Sequence, residues 1–468
     1  MNKKKFIIII LLLSVSLFIT KFVSNGYDYY WHITAGKYMI NNHTILTKDI
    51  FSWYLQGKYW MSHEWLYECF IYIYKIIFKD YHTLIYCSVN SFILLFILFL
   101  HNKDNYLKNA LFTIIWLFIY VLINIGLFTP RPHLISSWLL ALTLYVLYDL
   151  RKNSNSNKIY FLPLISLFWA NIHGGSSNLS YLLCLFFIIT GLFTINNKFI
   201  DIKRLSKVQL KKYLIVLILS ILVININPHG IKMLIYPYEN IMNRLMQQNI
   251  NEWRPTSIFK LYNYVYFSTI LLILVVFIKY KKKIDIVDLL LFIGFSYMGI
   301  RSVRFWNYIY IASSFFIFKY IPKRKDDKGT NILLVIISFV LLFISISNIK
   351  QYKNKLLNTK VISTTMIDTI KYENPKRLFN LYDYGGYLIY NDIDVFIDGR
   401  ADLYSKYNYR DYLDISHNIN TKGLINKYDF DYYLVNNKYK IYNYLNNNKK
   451  YSLVFSINNQ YLYKKKDA

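Results

Sequence analysis

"MNKKKFIIIILLLSVSLFITKFV", residues 1–23, puts three lysines ahead of an apolar run about one membrane span long. A spanning helix needs roughly 17–25 predominantly apolar residues. The run is long for a secretory leader and no small-x-small cleavage site follows it, so it reads as a retained first span. Comparable runs recur near 82–100, 108–128, 134–149, 158–170, 177–195, 212–227, 261–279, 285–300, 303–321 and 331–349. With 6–23 they predict about eleven spans, and 64–78 reads as a further dip into the bilayer. The bulk composition agrees: of 468 residues, 55% are hydrophobic and 19% aromatic, and only 17% are charged. Soluble domains carry about 25% charged residues. The fold class expected is an α-helical polytopic membrane protein.

The net charge of +29 would suggest nucleic acid in a soluble protein. Here loop lysines and arginines that orient spans account for it, and no basic, aromatic-interleaved module stands apart, so no nucleic-acid partner is expected. Lys3, Lys4 and Lys5 place the N-terminus in the cytoplasm. Alternation then puts 101–108, 151–158, 196–212, 279–283 and 319–328 on the same side, and these loops hold most of the loop lysines. An odd number of spans leaves 350–468 outside. The domains expected are a membrane domain, 1–349, with a large first outer loop, 24–81, and a small extracytoplasmic α/β domain, 350–468. In that tail "RLFNL" (377–381), "GGYLIY" (385–390), "DVFID" (394–398), "DFDYYLV" (429–435) and "YSLVFSI" (451–457) read as strands, with helices near 361–371, 403–414 and 439–447. Cys69, Cys87 and Cys184 lie in apolar stretches without a C-x-x-C spacing, which predicts buried free thiols.

The outer loops are poor in lysine but rich in reactive side chains. The first carries Asp28, His32, His63 and Glu64. "TPRPH" supplies Arg131 and His133, "WANIHGG" Asn171 and His173, "NPHG" His229, "NEWRP" Glu252 and Arg254, and "GIRSVRFWN" Arg301, Arg304 and Asn307. Of nine histidines, six (His32, His43, His63, His133, His173, His229) fall in these loops or at outer span ends. Ionisable groups at the hydrocarbon edge are costly unless paired or facing a cavity, so their convergence suggests one shared cavity. Asp28 and His32 are four apart and share a helix face. The bland alternative is an interfacial aromatic belt with an incidental aspartate. Glu64 would cap a helix over 64–78, and H-E without x-x-H is not a zinc-protease motif. Arginines outside break the positive-inside trend, and a phosphate held by forked donors would offset them. The competing reading pairs them with Glu252 or Asp28. "VFIDGRADLY" (395–404) places Asp398, Gly399, Arg400 and Asp402 at a strand end, either to bind a metal or sugar or to form a turn with an internal Asp–Arg pair.

In order along the chain stand "DYYWHITAG", "DIFSW", "WMSHEWL", "RPH", "WANIHGG", "NPHG", "EW", "RSVRFWN", "YDYGGYL" and "FIDGRAD". This series, over nearly the whole chain, resembles a family of bacterial multi-span proteins similar to GT-C-type glycosyltransferases. The resemblance implies an acid of the first outer loop at the reaction centre, which Asp28 matches. It also implies inverting transfer, a sugar donor on a polyprenyl phosphate, and a soluble domain after the last span. GT-C enzymes often have a second acid close by. Here Tyr29 and Tyr30 follow, so Glu64 or Asp49 would serve. On this reading Asp28 is the general base, oriented by His32, while His63 and Glu64 shape the cavity or bind a divalent ion. Metal candidates are Asp28 and Glu64, and oxygen ligands favour magnesium or manganese. Arg131, His133, Asn171, His173, His229, Glu252, Arg254, Arg301 and Arg304 would line the substrate site. The partners are the bilayer, the lipid-linked donor, and a glycan, lipid or protein acceptor, with the protein in the bacterial plasma membrane. The alternatives are a lipid-linked glycan flippase or transporter, which would show charges mid-span or repeated halves, and a non-catalytic scaffold.

Overall fold

The computed structural model describes residues 3–279, 283–321, 328–358 and 361–466. Along the chain run α1 (Lys3–Phe18), α2 (Asp28–Asn41), α3 (Trp65–Phe78), α4 (His82–Lys108), α5 (Ala110–Asn124), α6 (His133–Lys152), α7 (Leu162–Ile172) and α8 (Leu179–Thr190). Then come β1 (Ile195–Asn196), β2 (Ile200–Ile202), α9 (Lys207–Val223), α10 (Lys232–Met242), α11 (Arg244–Asn249), α12 (Tyr264–Lys279), β3 (Ile284–Asp285), α13 (Ile286–Arg301), α14 (Trp306–Ser314) and α15 (Lys328–Asn358). The last part holds α16 (Thr364–Glu373), β4 (Leu378–Asn380), α17 (Tyr382–Tyr390), α18 (Ala401–Tyr404), α19 (Tyr409–Ser416), α20 (Thr421–Tyr428), β5 (Tyr432–Asn436), α21 (Lys440–Asn446), β6 (Tyr451–Ile457) and β7 (Gln460–Lys465).

The chain divides into two compact units. The bundle unit comprises residues 1–24 and 81–350, and the sheet unit residues 25–80 and 351–468. The first loop, 24–81, thus contributes nearly all its length to the same unit as the tail.

In the bundle unit α14 is buried along its whole length, and α4, α5, α6 and α13 pack on it. The indole of Trp116 stacks on Tyr310 and donates to Ser314 Oγ at 2.8 Å. Some hydroxyls inside apolar helices bond backward to carbonyls, as Ser14 does to Ile10 (2.7 Å) and Ser16 to Leu12 (2.8 Å), which satisfies them within their own helix. Helix α4 breaks at Asn102, whose amide reaches both Leu98 O and Ser314 O and so interrupts the ladder. The outside is apolar: α15 presents Ile332, Ile336, Phe339, Phe343 and Ile346 at helical spacing, with Phe343 76% exposed. Such a surface suits lipid, not water.

Every segment expected to span coincides with one of α1, α4 to α9 and α12 to α15. Among the described residues six stretches are long and apolar enough to cross a membrane: Lys4–Phe22, Trp65–Tyr106, Ala110–Leu127, His133–Lys152, Leu261–Lys279 and Gly329–Tyr352. This is a membrane protein with six candidate spans among the described residues, which does not confirm the expected eleven. Helices α9, α13 and α14 have only 17, 16 and 9 residues, and α7 and α8 lie in shorter apolar stretches. The apolar wording of 285–321 is cut by the turn around Arg301 and Arg304. Strands β1, β2 and β3 form a small sheet inside loops that carry no strand signal, with β1–β2 antiparallel and β2–β3 parallel.

The sheet unit holds a four-stranded sheet, order β4-β5-β7-β6. Strands β4 and β5 are parallel, Leu378 opposite Tyr432, and β7 is antiparallel to both neighbours. The first loop is stitched to the tail by main-chain bonds, Trp53 N–H to Val395 O and Val395 N–H to Phe51 O, both at 3.1 Å. Phe379, Phe396, Phe430 and Tyr433 pack as an aromatic core. Two tail expectations are corrected. "GGYLIY" belongs to α17. "DVFID" makes a single bridge from Val395 to Ser52 and no strand. Strand β7 and helix α20 carried no clear signal.

Candidate functional site

Within the sheet unit α2 packs on α3 and α17. Helix α2 crosses α3 so closely at Gly36 that any Cβ there would strike the Glu68 carbonyl. Asp28 is the first residue of α2, where the helix dipole favours a carboxylate. Its Oδ1 accepts from the Trp31 indole at 3.3 Å. A Cβ on Gly399 would overlap that same oxygen, so any larger residue there would push the Asp28 carboxylate aside. Asp383, in the first turn of α17, has its pKa raised by burial and then by the charge of Asp28.

His32, 1% exposed, lies between two glutamates. Its Nε2 is 3.4 Å from Glu64 Oε2 and its Nδ1 is 3.5 Å from Glu68 Oε1. Glu64 Oε1 is 3.2 Å from His63 Nε2, and Ser62 Oγ donates to Glu68 Oε2 at 3.0 Å. These groups form a buried row of alternating imidazoles and carboxylates, His63–Glu64–His32–Glu68–Ser62. Burial opposes a charged His63, but the Glu64 carboxylate, then Asp402 and Glu68, raise its pKa on balance. Asp402 is pushed up by burial, with His63 and Lys406 opposing. The expected orientation of Asp28 by His32 is replaced, since both ring nitrogens face glutamates. Glu64 sits at the N-cap of α3 but makes no side-chain cap bond. Its carboxylate serves the imidazoles instead. Glu68 escaped the sequence reading, although its i, i+4 spacing from Glu64 in an apolar helix was the available signal.

Beside this row lies a fully buried network. Arg400 reaches Asp49 Oδ1 with Nη1 (2.5 Å) and Asp398 Oδ2 with Nη2 (2.6 Å), and Tyr404 donates to Asp398 at 2.6 Å. The guanidinium also sits over the Trp60 ring at 4.8 Å. Burial pushes the Asp49 pKa up, but Arg400, Ser52 and the Phe51 amide outweigh it and the net shift is downward. Asp49 is committed to this ion pair and cannot be the second acid. The internal Asp–Arg pair expected as the structural alternative for "FIDGRAD" is the arrangement found.

In the bundle unit a second cluster forms. Arg131 holds Glu252 with two bonds, 2.8 and 3.2 Å. Arg304 Nη1 is 3.8 Å from the same carboxylate, and its Nη2 is 3.2 Å from His173 Nε2. A guanidinium only donates, so His173 Nε2 accepts and Nδ1 carries the proton toward Ser136 Oγ (2.6 Å) or Ser176 Oγ (3.0 Å). Burial would raise the Glu252 pKa, but Arg131 and Arg304 bring it down to about 2. Two cations face one carboxylate, and all three side chains keep about a quarter of their surface open.

The remaining candidates go elsewhere. His133 Nε2 bonds Leu127 O at 2.6 Å, closing the turn before α6. Asn171 ties α7 to Ile226 O at 3.0 Å. His229 is buried, with its amide bound to Asn227 Oδ1 at 2.7 Å. Arg254 bonds the Gln248 carbonyl at 3.1 Å, and Arg301 is exposed at the end of α13. So Asp28, His32, His63 and Glu64 fall in the sheet unit, and Arg131, His173, Glu252 and Arg304 in the bundle unit.

The residues do not fit a divalent cation. Both Glu64 oxygens face imidazoles, Asp28 accepts from an indole, and among the described residues no group of three or more His, Cys, Asp or Glu could hold a metal. Cys69, Cys87 and Cys184 are free thiols.

No protein-family model matches the sequence, and no curated protein matches it. Solved structures do. One is the oligosaccharyltransferase of Archaeoglobus fulgidus tethered by a disulfide to an acceptor peptide containing the NVT sequon. It is 13% identical, with 93% of this chain and 69% of that one covered and a TM-score of 0.50. Its apo form gives 12% identity, 92% and 69% coverage, and a TM-score of 0.52. The chain thus has a fold like that of this oligosaccharyltransferase, a likeness of shape carried over nine-tenths of its length with almost none of the sequence.

Proposed function

We propose that the protein is a glycosyltransferase of the bacterial plasma membrane that moves a sugar from a polyprenyl-phosphate-linked donor to an acceptor hydroxyl or amide on the outer face. The observation that carries this reading is the Arg131–Glu252–Arg304 cluster. Two guanidiniums share one carboxylate, which leaves a positive charge and forked donors suited to a phosphate. Beside it stands the fold likeness to an oligosaccharyltransferase.

In the reaction, the acceptor heteroatom bonds the anomeric carbon. The bond from that carbon to the phosphate oxygen breaks, and its electron pair leaves with the lipid phosphate. Arg131 and Arg304 stabilise that developing charge. Asp28 takes the acceptor's proton, and configuration inverts. The His63–Glu64–His32–Glu68 row positions α2, and with it the base. No step uses a metal. The N-terminus lies in the cytoplasm and the sheet unit outside.

Asp28→Asn in cells tests the reading. At normal protein level the variant should lose the surface glycan and accumulate polyprenyl-linked sugar. Unchanged glycans would refute it. Loss of glycan without any lipid-linked sugar remaining in the outer leaflet would favour a flippase.

A further inference from the structure

On the outside of the bundle unit α6 and α7 enclose an apolar groove of about 530 Å³. That volume falls in the range of roughly 300–1,000 Å³ of sites that take small organic ligands. Its walls include Trp138, Leu142, Leu164 and Phe168, with Tyr145 and Lys158 at one end. Trp138 and Phe168 stack at 6.1 Å, and the Trp138 indole is fixed by Asn90 Oδ1 at 2.8 Å, so the apolar end is a built surface. Leu164, 59% exposed, marks the side open to lipid.

The Lys158 end is different in kind. Its ammonium lies 4.9 Å from the Tyr145 ring centre and bonds Tyr145 Oη and Asp149 Oδ1, both at 3.0 Å. The side chain is still 49% exposed, and an ammonium has a third donor. Asp149 is also bound by Ser156. Lys212 is held on the same loop by Ser156 O at 2.9 Å and Asn157 Oδ1 at 3.0 Å, and Lys152 is exposed beside it. Positive charge therefore exceeds negative at the mouth of an apolar slot. An amphiphile with one hydrocarbon chain in the slot and an anionic head on Lys158 fits both ends.

We propose that this groove binds an anionic phospholipid, phosphate on Lys158 and acyl chain between α6 and α7. The ammonium of Lys158 is held at Tyr145 and Asp149, 12 and 16 residues beyond the first residue of α6, so the head-group end lies about 18–24 Å along the helix from its Arg131 end, at 1.5 Å per residue. It is a separate site, in the opposite leaflet, and its occupancy does not depend on any transfer reaction.

The test uses the full-length protein in detergent, exchanged with vesicles of phosphatidylglycerol or of phosphatidylcholine and read by native mass spectrometry. The wild type should retain phosphatidylglycerol over phosphatidylcholine by about fivefold, the contribution of one lysine at an anionic surface. Lys158→Ala should abolish that preference, Lys158→Arg should keep it, and Leu142→Trp, which fills the slot, should expel both lipids. Equal retention of the two lipids by the wild type would overturn the proposal whatever the variants do. So would a Lys158→Ala protein of unchanged melting temperature that keeps the preference.

Discussion

Arg400→Leu isolates the force that holds the first loop on the tail. Arg400 is fully buried between Asp49, from the loop, and Asp398, from the tail, with side-chain exposures of 0%. Leucine removes the only cation from this trio and leaves two carboxylates in a dry interior. Removing one partner from a buried ion pair costs about 3–5 kcal/mol. Tenfold per 1.4 kcal/mol makes that roughly 150-fold to 4,000-fold in the local opening equilibrium. The readout is hydrogen exchange at the amides of Trp53 and Val395, whose bonds join loop to tail, because exchange reports local opening without assuming that the whole chain unfolds together. The pH dependence should reverse sign. In the wild type the Asp49 pKa is depressed, so its stabilisation is present above the ordinary carboxylate range and is lost as pH falls through the folded value. In the variant burial acts on Asp49 without its counter-charge, so protonation relieves the strain and protection rises as pH falls from 7 toward 4. The combination Asp49→Asn, Asp398→Asn and Arg400→Leu should recover most of the loss. Exchange within threefold of wild type, or faster exchange at lower pH in the single variant, would refute the reasoning.

Gly399→Ala should abolish transfer while leaving circular dichroism and expression unchanged, because its Cβ occupies the position of Asp28 Oδ1; full activity would mean that the location of Asp28 does not matter. Arg131→Lys keeps the charge but loses the two-pronged hold on Glu252, and a charge-assisted bond of about 1.5–3 kcal/mol predicts a drop in transfer of about tenfold or more, with lipid-linked sugar accumulating. Glu252, held down to about 2, should keep its arginines through physiological pH. Its contribution should fade only as pH drops from the ordinary carboxylate range toward 2, seen as faster exchange of the 250–256 amides; fading near pH 6 would contradict the cluster.

The helices were legible in the sequence because an apolar run of sufficient length has no good alternative in a bilayer. The lysine-flanked run at 1–23 becomes α1, and the tail segments 377–381, 429–435 and 451–457 coincide with β4, β5 and β6 to within a few residues. "GGYLIY" misled because a short apolar run has the same wording in a strand and in a buried helix turn, and α17 is decided by its packing on α2. The division at Arg301 and Arg304 was legible too, since the segments 285–300 and 303–321 become α13 and the short, buried α14, whereas hydropathy alone does not decide whether helices that short cross a bilayer.

The candidate site divides in the same way. Sequence alone picked out the residue types, Asp28 with His32 four places on, and arginines in loops where cations are not expected. Their partners came from the fold. Asp49 meets Arg400 across 351 positions, and Arg131 meets Glu252 across 121. Composition and periodicity act over a few turns of chain and so determine which segments are helical and lipid-facing. Which charge neutralises which depends on desolvation and distance, and those exist only once segments far apart in the chain have been packed together.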